Sequence, residues 1–168
     1  SDFASRSVEL GLFTGVSETE FAPNNGMTRA MLVQALYRMQ GSPEAGSSTF
    51  TDVADSEWYS KAVAWASENG IVNGSNGKFD PNGLLTREQL AAILWRYAQY
   101  EKRDVSVRDE TVLLSYADAQ DVSSYAVVPM QWACGEGLIQ GSSGKLAPKS
   151  TTTRAQVATV LVRYLNEG

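Results

Sequence analysis

The chain contains no histidine among its 168 residues, and this absence excludes several kinds of chemistry. Histidine is the commonest general base and the commonest metal ligand in proteins. Ser-His-Asp triads, Cys-His nucleophiles and histidine-based zinc sites are therefore excluded.

Cysteine, long apolar runs and net positive charge are also scarce. Cys134 is the single cysteine, so no disulfide can form within the chain, and we expect a small buried side chain there. No run approaches the roughly 20 apolar residues that a membrane-spanning helix needs. The net charge of −5 argues against non-specific binding to nucleic acid or to anionic membranes. A local basic pocket for a small anion stays compatible with that charge.

The composition is that of a folded protein with a sizeable core, at 43% hydrophobic and 20% charged residues. Ser1-Asp2-Phe3 is typical of the start of a fragment or of a mature chain. We therefore expect any export signal to lie outside this sequence.

Four landmarks recur three times at matching spacing. The first is a segment flanked by glycines: Gly11-Leu12-Phe13-Thr14-Gly15, Gly70-Ile71-Val72-Asn73-Gly74 and Gly137-Leu138-Ile139-Gln140-Gly141. The second is a triplet ending in proline: Phe21-Ala22-Pro23, Phe79-Asp80-Pro81 and Leu146-Ala147-Pro148. The third is a Thr-Arg pair: Thr28-Arg29, Thr86-Arg87 and Thr153-Arg154. The fourth is an arginine nine residues further on: Arg38, Arg96 and Arg163.

The second and third repeats also match upstream of these landmarks. Phe50-Thr51-Asp52-Val53 corresponds to Tyr116-Ala117-Asp118-Ala119, and Trp65-Ala66 corresponds to Trp132-Ala133. The first repeat lacks this half, so it is either truncated or completed from elsewhere. We expect three repeats, at residues 1–41 (partial), 50–101 and 112–168, which together form one compact unit.

Each full repeat predicts a helix, a turn-rich loop and a second helix. In residues 58–68, Trp58, Ala62, Trp65 and Ala66 fall on one helical face, and Gly70 supplies a stop. The second helices carry core-facing stripes: Leu32, Ala35, Leu36 and Met39; Leu90, Ile93, Leu94 and Tyr97; Val157, Val160, Leu161 and Tyr164. No helix pair could bury such a face alone, so the repeats should pack around a shared axis. Pro129 requires its helix to start nearby or to kink.

The Thr-Arg pair is predicted to start each second helix. Thr86 with Gln89 and Thr153 with Gln156 form capping-box patterns, whereas Thr28 caps alone because Met31 replaces the glutamine. The arginine then occupies the first helical position, where the helix dipole disfavours a cation by a few tenths to about 1 kcal/mol. Three arginines at this position need an explanation.

Two explanations stay open for these arginines. One is a salt bridge to an acid such as Asp52 or Asp118 from another repeat. The other is an anion site, in which free N–H groups of the helix N-terminus and the guanidinium bind a carboxylate or phosphate. Lys78 and Lys145 would add positive charge, whereas Glu20 stands at that place in the first repeat.

The tryptophans and the acids also have two interpretations each. Trp65 and Trp132 lie on the apolar helical face, so core packing is favoured over a flat face offered to a sugar ring. Asp52, Asp118 and Glu88 form no evident close pair of the kind that glycoside hydrolysis needs. We interpret them as caps, ion pairs or solvated surface.

At these residues the chain closely resembles the S-layer homology (SLH) domain family. The matching residues are Phe50-Thr51-Asp52-Val53, Trp58-Tyr59, Ala62-Val63, Trp65-Ala66, Gly70-Ile71-Val72-Asn73-Gly74, Phe79-Asp80-Pro81 and Leu85-Thr86-Arg87-Glu88-Gln89. The resemblance implies a mainly α fold, with three repeats in a pseudo-threefold, three-pronged spindle around a central helical bundle. It also implies non-covalent anchoring of exported proteins to secondary cell-wall polysaccharide, typically a polymer that carries a pyruvate ketal.

The resemblance further implies where the ligand binds. The family's Thr-Arg-Ala-Glu segment corresponds to Thr28-Arg29-Ala30-Met31, Thr86-Arg87-Glu88-Gln89 and Thr153-Arg154-Ala155-Gln156, which keep the arginine but lack the final glutamate. The implied grooves lie between adjacent repeats. The expected ligand-binding residues are Arg87 and Arg154 first, then Arg29, with Lys78, Lys145, Trp65, Trp132, Asp52, Asp118, Gly74 and Gly141.

Our hypothesis is therefore a non-catalytic anchor at the bacterial cell surface, without a cofactor, that binds an anionic, pyruvylated cell-wall polysaccharide. Nucleic acid and membrane are not expected as partners, and the unit is expected to belong to a larger exported protein. The first rival hypothesis is a protein–protein assembly module of surface proteins with vestigial grooves. The second is a glycosidase that acts on wall polysaccharide.

Overall fold

The computed structural model describes residues 25–167, and this part of the chain is mainly helical. The α-helices are α1 Arg29–Met39, α2 Ser60–Glu68, α3 Arg87–Tyr100, α4 Val127–Gly135 and α5 Arg154–Glu167. Short 3-10 helices at Val112–Ser115, Ala119–Asp121 and Ser124–Ala126 precede α4. The mainly α class is confirmed. The glycine segment at residues 11–15, Glu20 and the triplet at residues 21–23 lie outside the described residues.

The predicted caps are present at the three second helices. At α3, Gln89 N donates to Thr86 Oγ1 at 3.3 Å, and Thr86 N donates to Gln89 Oε1 at 3.0 Å. The same reciprocal pair of bonds joins Thr153 and Gln156 at 2.9 and 3.1 Å. Thr28 caps α1 by accepting from Met31 N at 3.2 Å. The arginine is therefore the first helical residue of α1, α3 and α5.

The first helices differ from the prediction in one respect. Helix α2 begins at Ser60, after Trp58, whose side chain is 49% exposed and so does not belong to the buried face. Ala62, Trp65 and Ala66 are buried as predicted. Pro129 is the third residue of α4, in the first turn, where the missing N–H costs no helical hydrogen bond.

The core joins helices of different repeats. Helix α1 of the first repeat packs on α2 of the second repeat, and α3 of the second packs on α4 of the third. The stripe residues of the second helices are buried, apart from the half-buried Met39. Because each second helix packs on the first helix of the following repeat, neighbouring repeats depend on each other for burial.

A closed ring of backbone hydrogen bonds connects the segments just before α1, α3 and α5. Leu85 N donates to Met27 O at 2.8 Å, Thr152 N donates to Leu85 O at 2.8 Å, and Met27 N donates to Thr152 O at 3.0 Å. Met27, Leu85 and Thr152 occupy the same position in the three repeats and are all buried. The ring places the three arginine-bearing helix starts around one point. The three-pronged arrangement of the whole chain stays a prediction.

Glu88 in the first turn of α3 links the second and third repeats. Its carboxylate is buried and accepts from Ser123 N at 2.9 Å, from Ser123 Oγ at 2.6 Å and from Lys149 Nζ at 3.1 Å. Burial opposes ionisation of Glu88, but the bonds from Ser123 and Lys149 outweigh burial and lower its pKa.

This lowered pKa predicts a specific dependence of stability on pH. A carboxyl group with a lower pKa in the folded state contributes stability above its unfolded pKa, near 4.5, and that contribution is lost as pH falls through the lowered value. Glu88→Gln is therefore expected to reduce the free energy of unfolding at neutral pH and to flatten its decline in acid. Denaturant unfolding at several pH values measures both effects. Glu44→Gln is the control, because Glu44 is exposed and bonds no other described side chain. An unchanged acid slope in Glu88→Gln would contradict the prediction.

Candidate ligand-binding grooves

The arginines that start the second helices contact the loop of another repeat. Arg29 Nε donates to Phe79 O at 2.9 Å, and Arg87 Nε donates to Leu146 O at 2.7 Å. Phe79 and Leu146 are equivalent residues of the second and third repeats. Arg154 also contacts another repeat, since its backbone N–H donates to Asn25 O of the first repeat at 2.9 Å. Each arginine therefore belongs to a junction between repeats.

The backbone N–H groups at these helix starts are already engaged. In α1, the N–H groups of Arg29 and Ala30 donate to Gly83 O and Pro81 O, both at 3.0 Å. In α3, the N–H groups of Arg87 and Glu88 donate to Ser150 O and Pro148 O at 2.9 and 3.0 Å. The expectation of free helix N-terminal amides is therefore wrong for α1 and α3. Loop carbonyls cover the positive end of each helix, which explains how an arginine is tolerated there.

The salt-bridge explanation also fails in the described part of the chain for Asp52 and Asp118. Asp52 accepts from Phe79 N at 2.9 Å and Asp80 N at 2.8 Å, which lie in its own repeat. Asp118 accepts from Leu146 N at 2.8 Å and Ala147 N at 2.9 Å. Burial opposes ionisation of Asp52, but the hydrogen bonds from the two amides outweigh it and lower the pKa of Asp52. The hydrogen bond from Leu146 N is the largest cause of the lowered pKa of Asp118, and burial opposes it there too. Both acids therefore shape the loop that receives the arginine.

Two grooves lined by described residues occupy corresponding positions in the repeats, and the first, the Arg29 groove, has a volume of about 590 Å³. It lies between α1, the loop of the second repeat and α3. Its polar and charged lining residues are Arg29, Asn73, Ser75, Lys78, Asp80, Gln89, Arg96 and Tyr125. Arg29 also lies over the Phe79 ring, with 5.1 Å from the guanidinium carbon to the ring centroid. Burial lowers the pKa of Arg29 despite the attraction of Asp80, but an arginine stays charged at neutral pH.

The second, the Arg87 groove, has a volume of about 320 Å³ and repeats this geometry one repeat further on. Its polar and charged lining residues are Arg87, Gln140, Ser142, Thr152, Gln156, Thr159 and Arg163. Arg87 makes a second bond, from Nη2 to Gln140 O at 2.8 Å, and Arg163 Nη1 donates to Leu138 O at 3.3 Å. Lys78 and Lys145 are both exposed. Lys78 lines the Arg29 groove, whereas Lys145 does not line the Arg87 groove.

The two predicted glycines, Gly74 and Gly141, line the grooves, and steric crowding explains why no larger residue stands there. A Cβ atom on Gly74 would lie 2.3 Å from Phe50 Cε1 and 2.6 Å from Lys78 O, and Gly74 has φ of +68°. A Cβ atom on Gly141 would lie 2.2 Å from Tyr116 Cε1 and 2.6 Å from Lys145 O. An aromatic ring thus packs directly on each glycine backbone, which leaves no room for a side chain.

Both predicted tryptophans are buried. Trp65 is 2% and Trp132 is 4% exposed. Trp65 packs against Tyr37 and Tyr100, with ring centroids 5.6 and 5.5 Å apart. The core interpretation therefore describes these residues, and neither ring offers its face to solvent.

Several residues that line the Arg29 groove were not predicted as site residues, and Tyr125 and Arg96 are the most informative of them. Tyr125 comes from the third repeat and is 50% exposed, so three repeats contribute to this groove. Burial and the nearby Glu88 carboxylate raise the pKa of Tyr125 to about 12, which keeps its hydroxyl protonated at neutral pH. Arg96 was recognised only as a landmark of the repeat. Arg96 and Arg163 occupy the same position in their repeats and line the Arg29 groove and the Arg87 groove, respectively. The recurrence of this arginine was the signal available in the sequence.

Two further properties of the described residues bear on the class of protein. No group of three or more Cys, Asp or Glu side chains within residues 25–167 is arranged to hold a metal ion. No helix in this range is long and apolar enough to cross a bilayer.

The fold and its grooves define a tandem helix-loop-helix repeat with cationic clefts between repeats. The chain belongs to the S-layer homology domain family, whose sequence profile matches residues 2–30, 49–91 and 115–158. The resemblance expected from the sequence is therefore confirmed, including its three repeats.

Relatives include both enzymes and surface-layer proteins. An endoglucanase of Bacillus sp. (strain KSM-635) is 36% identical over 159 residues, which cover 94% of this chain and 17% of the relative. The surface-layer 125 kDa protein of Lysinibacillus sphaericus is 32% identical over 163 residues, which cover 94% of this chain and 13% of the relative. An amylopullulanase of Thermoanaerobacterium thermosulfurigenes is 28% identical over 159 residues, covering 91% and 8%. The chain thus spans 8% to 17% of the length of these relatives.

Family membership and the surface-layer relatives identify the chain as a cell-surface anchoring module. The expected location at the bacterial cell surface is thereby confirmed.

Proposed function

We propose that this chain binds an anionic, pyruvylated cell-wall polysaccharide in the clefts between its repeats, and that it has no catalytic activity of its own. The Arg29 and Arg87 grooves hold the acidic group of the polymer. Through them, the chain anchors a larger exported protein to the wall.

The fixed arginine in each groove is the observation that carries this proposal. One hydrogen bond from Nε to a loop carbonyl holds the Arg29 guanidinium in place, and its terminal N–H groups are not bonded to other described residues. A guanidinium held in this way loses little further freedom when it forms two parallel bonds to a carboxylate. Lys78 on the same groove wall adds a second donor.

Tyr125 replaces the tryptophans as the aromatic wall of the proposed site. Its ring is half-exposed and lines the same groove as Arg29, whereas Trp65 and Trp132 are buried. An aromatic ring with a polar tip suits the apolar face and the hydroxyl groups of a sugar. Tyr125 therefore orients the sugar ring while Arg29 holds its acidic substituent.

Two observations support the proposal that the chain is not catalytic. Asp52, Asp118 and Glu88 are each engaged by backbone or side-chain donors, so none is placed as a free acid or base. A similar segment also occurs in an endoglucanase, an amylopullulanase and a surface-layer protein, so its presence is not tied to one activity.

Co-sedimentation with purified cell-wall polymer tests the proposal. We expect the chain to sediment with intact polymer, and to stay in the supernatant after chemical removal of the pyruvate ketal. Added salt should weaken binding, because exposed charge pairs are screened.

Three outcomes would contradict parts of this proposal. Equal binding to both polymer preparations would exclude the ketal carboxylate as the recognised group. Concentration-dependent oligomers with no affinity for polymer would favour the protein assembly module. Release of reducing ends from the polymer would demonstrate a glycosidase.

A further inference from the structure

The Arg29 groove contains a second guanidinium that the proposed carboxylate site does not use. Arg96 lines the groove from α3, ten residues into the helix, and forms no hydrogen bond or ion pair with residues 25–167. It lies close enough for its charge to disfavour protonation of Arg29. Lys78 is a third cation in the lining, and Asp80 is the single acid among the described lining residues. Positive charges placed together in this way repel each other until an anion neutralises them.

The Arg87 groove provides an internal comparison. Its equivalent of Arg96 is Arg163, whose Nη1 is bonded to Leu138 O at 3.3 Å. Arg87 itself donates from two of its nitrogens to carbonyl oxygens, and no lysine is among the described residues that line that groove. The volume is also smaller, at about 320 Å³ against about 590 Å³. The Arg29 groove thus has both the room and the unbonded donors for a second acidic group.

We propose that the Arg29 groove binds a sugar unit carrying two separate acidic groups, one held by Arg29 with Lys78 and the other by Arg96. The Arg87 groove binds units with a single acidic group. This inference rests on the proposed carbohydrate-binding function and specifies its ligand. The second acidic group is a carboxylate or a phosphate, since a guanidinium fork suits both.

Titration followed by ¹⁵N–¹H NMR tests the inference with small probes at millimolar concentration. The probes are glucuronic acid, with one acidic group, glucuronic acid 1-phosphate and glucaric acid, with two, and glucose 1-phosphate, with phosphate alone. We expect shifts around Gly74 and Lys78. At least one two-acid probe should bind about tenfold more tightly than glucuronic acid, as expected for one added charge-assisted bond. The probe that does so distinguishes carboxylate from phosphate.

Matched substitutions assign the preference to Arg96. Arg96→Gln is expected to remove the tenfold preference while glucuronic acid still binds, and Arg163→Gln is expected to leave the preference intact. Three results would overturn the inference: no preference for two-acid probes, a preference that survives Arg96→Gln, or glucose 1-phosphate binding as tightly as glucuronic acid 1-phosphate. The absence of shifts with every probe would overturn it as well.

Different results would contradict the proposed function and the two-acid inference. If polymer co-sedimentation depends on Arg29 but the probe preference does not depend on Arg96, only the two-acid inference is wrong. If intact polymer does not co-sediment with the chain, the proposed function itself is wrong.

Discussion

Replacing Trp65 by alanine is expected to lower the free energy of unfolding by about 3–5 kcal/mol, the usual cost of truncating a buried aromatic side chain. Trp65 is 2% exposed and lies between α1 and α3. Its ring contacts those of Tyr37, Tyr97 and Tyr100, with centroid distances of 5.6, 6.3 and 5.5 Å. An alanine would leave a cavity where three repeats meet, because Tyr97 in turn packs on Tyr164. Urea or thermal unfolding measures the loss.

Trp65→Phe separates the structural role from a role in ligand binding. Phenylalanine keeps most of the buried area and removes a buried Nε1–H that has no hydrogen-bond partner among the described residues. We expect a smaller loss of stability than for Trp65→Ala, and unchanged affinity for cell-wall polymer. A folded Trp65→Phe variant with clearly weaker polymer binding would contradict the core assignment, since it would show that the indole reaches the ligand.

Local interactions made much of this fold predictable. A capping box needs only residues three apart, so Thr86 with Gln89 and Thr153 with Gln156 could be read directly from the sequence. The buried stripe of each second helix follows from helical periodicity in the same way. Repetition then strengthened each local signal, because three copies of a pattern rarely arise by chance.

Contacts between repeats could not be predicted in this way. Arg29 and Arg87 bond to loop carbonyls that lie 50 and 59 residues further along the chain, and no local pattern marks a carbonyl as an acceptor. Trp58 fits the helical period, but α2 starts two residues after it. Tyr125 reaches the Arg29 groove from the third repeat, although the chain order places it nearest to α4. The candidate site is therefore a product of how the repeats are arranged around the hydrogen-bonded ring.

The same arrangement changes which arginine is expected to matter most. Sequence alone favoured Arg87 and Arg154 ahead of Arg29. In the structure, however, Arg29 contacts the loop of the second repeat, and its terminal N–H groups are not bonded to other described residues. The roles assigned to these arginines stay proposals that polymer binding has to test.

Arg29→Ala is accordingly expected to weaken polymer binding by about 10- to 100-fold, the effect of losing hydrogen bonds to a charged group. Arg87→Ala is expected to have a smaller effect, because two nitrogens of Arg87 already donate to carbonyl oxygens. Co-sedimentation isotherms at fixed salt measure both losses. Arg29→Ala also removes the bond to Phe79 O, at a cost of about 1 kcal/mol, so its folding must be checked by thermal unfolding.

Two control variants separate the guanidinium from its charge. Lys61→Ala removes one positive charge from the exposed face of α2, outside both grooves, and is expected to leave binding unchanged. Arg29→Lys keeps the charge but loses the planar fork, so it should recover only part of the affinity. Full recovery by lysine would mean that charge alone holds the polymer. A larger loss in Arg87→Ala than in Arg29→Ala would mean that the carbonyl-bonded arginine is the main ligand, and that the bonds fixing it prepare it for the polymer.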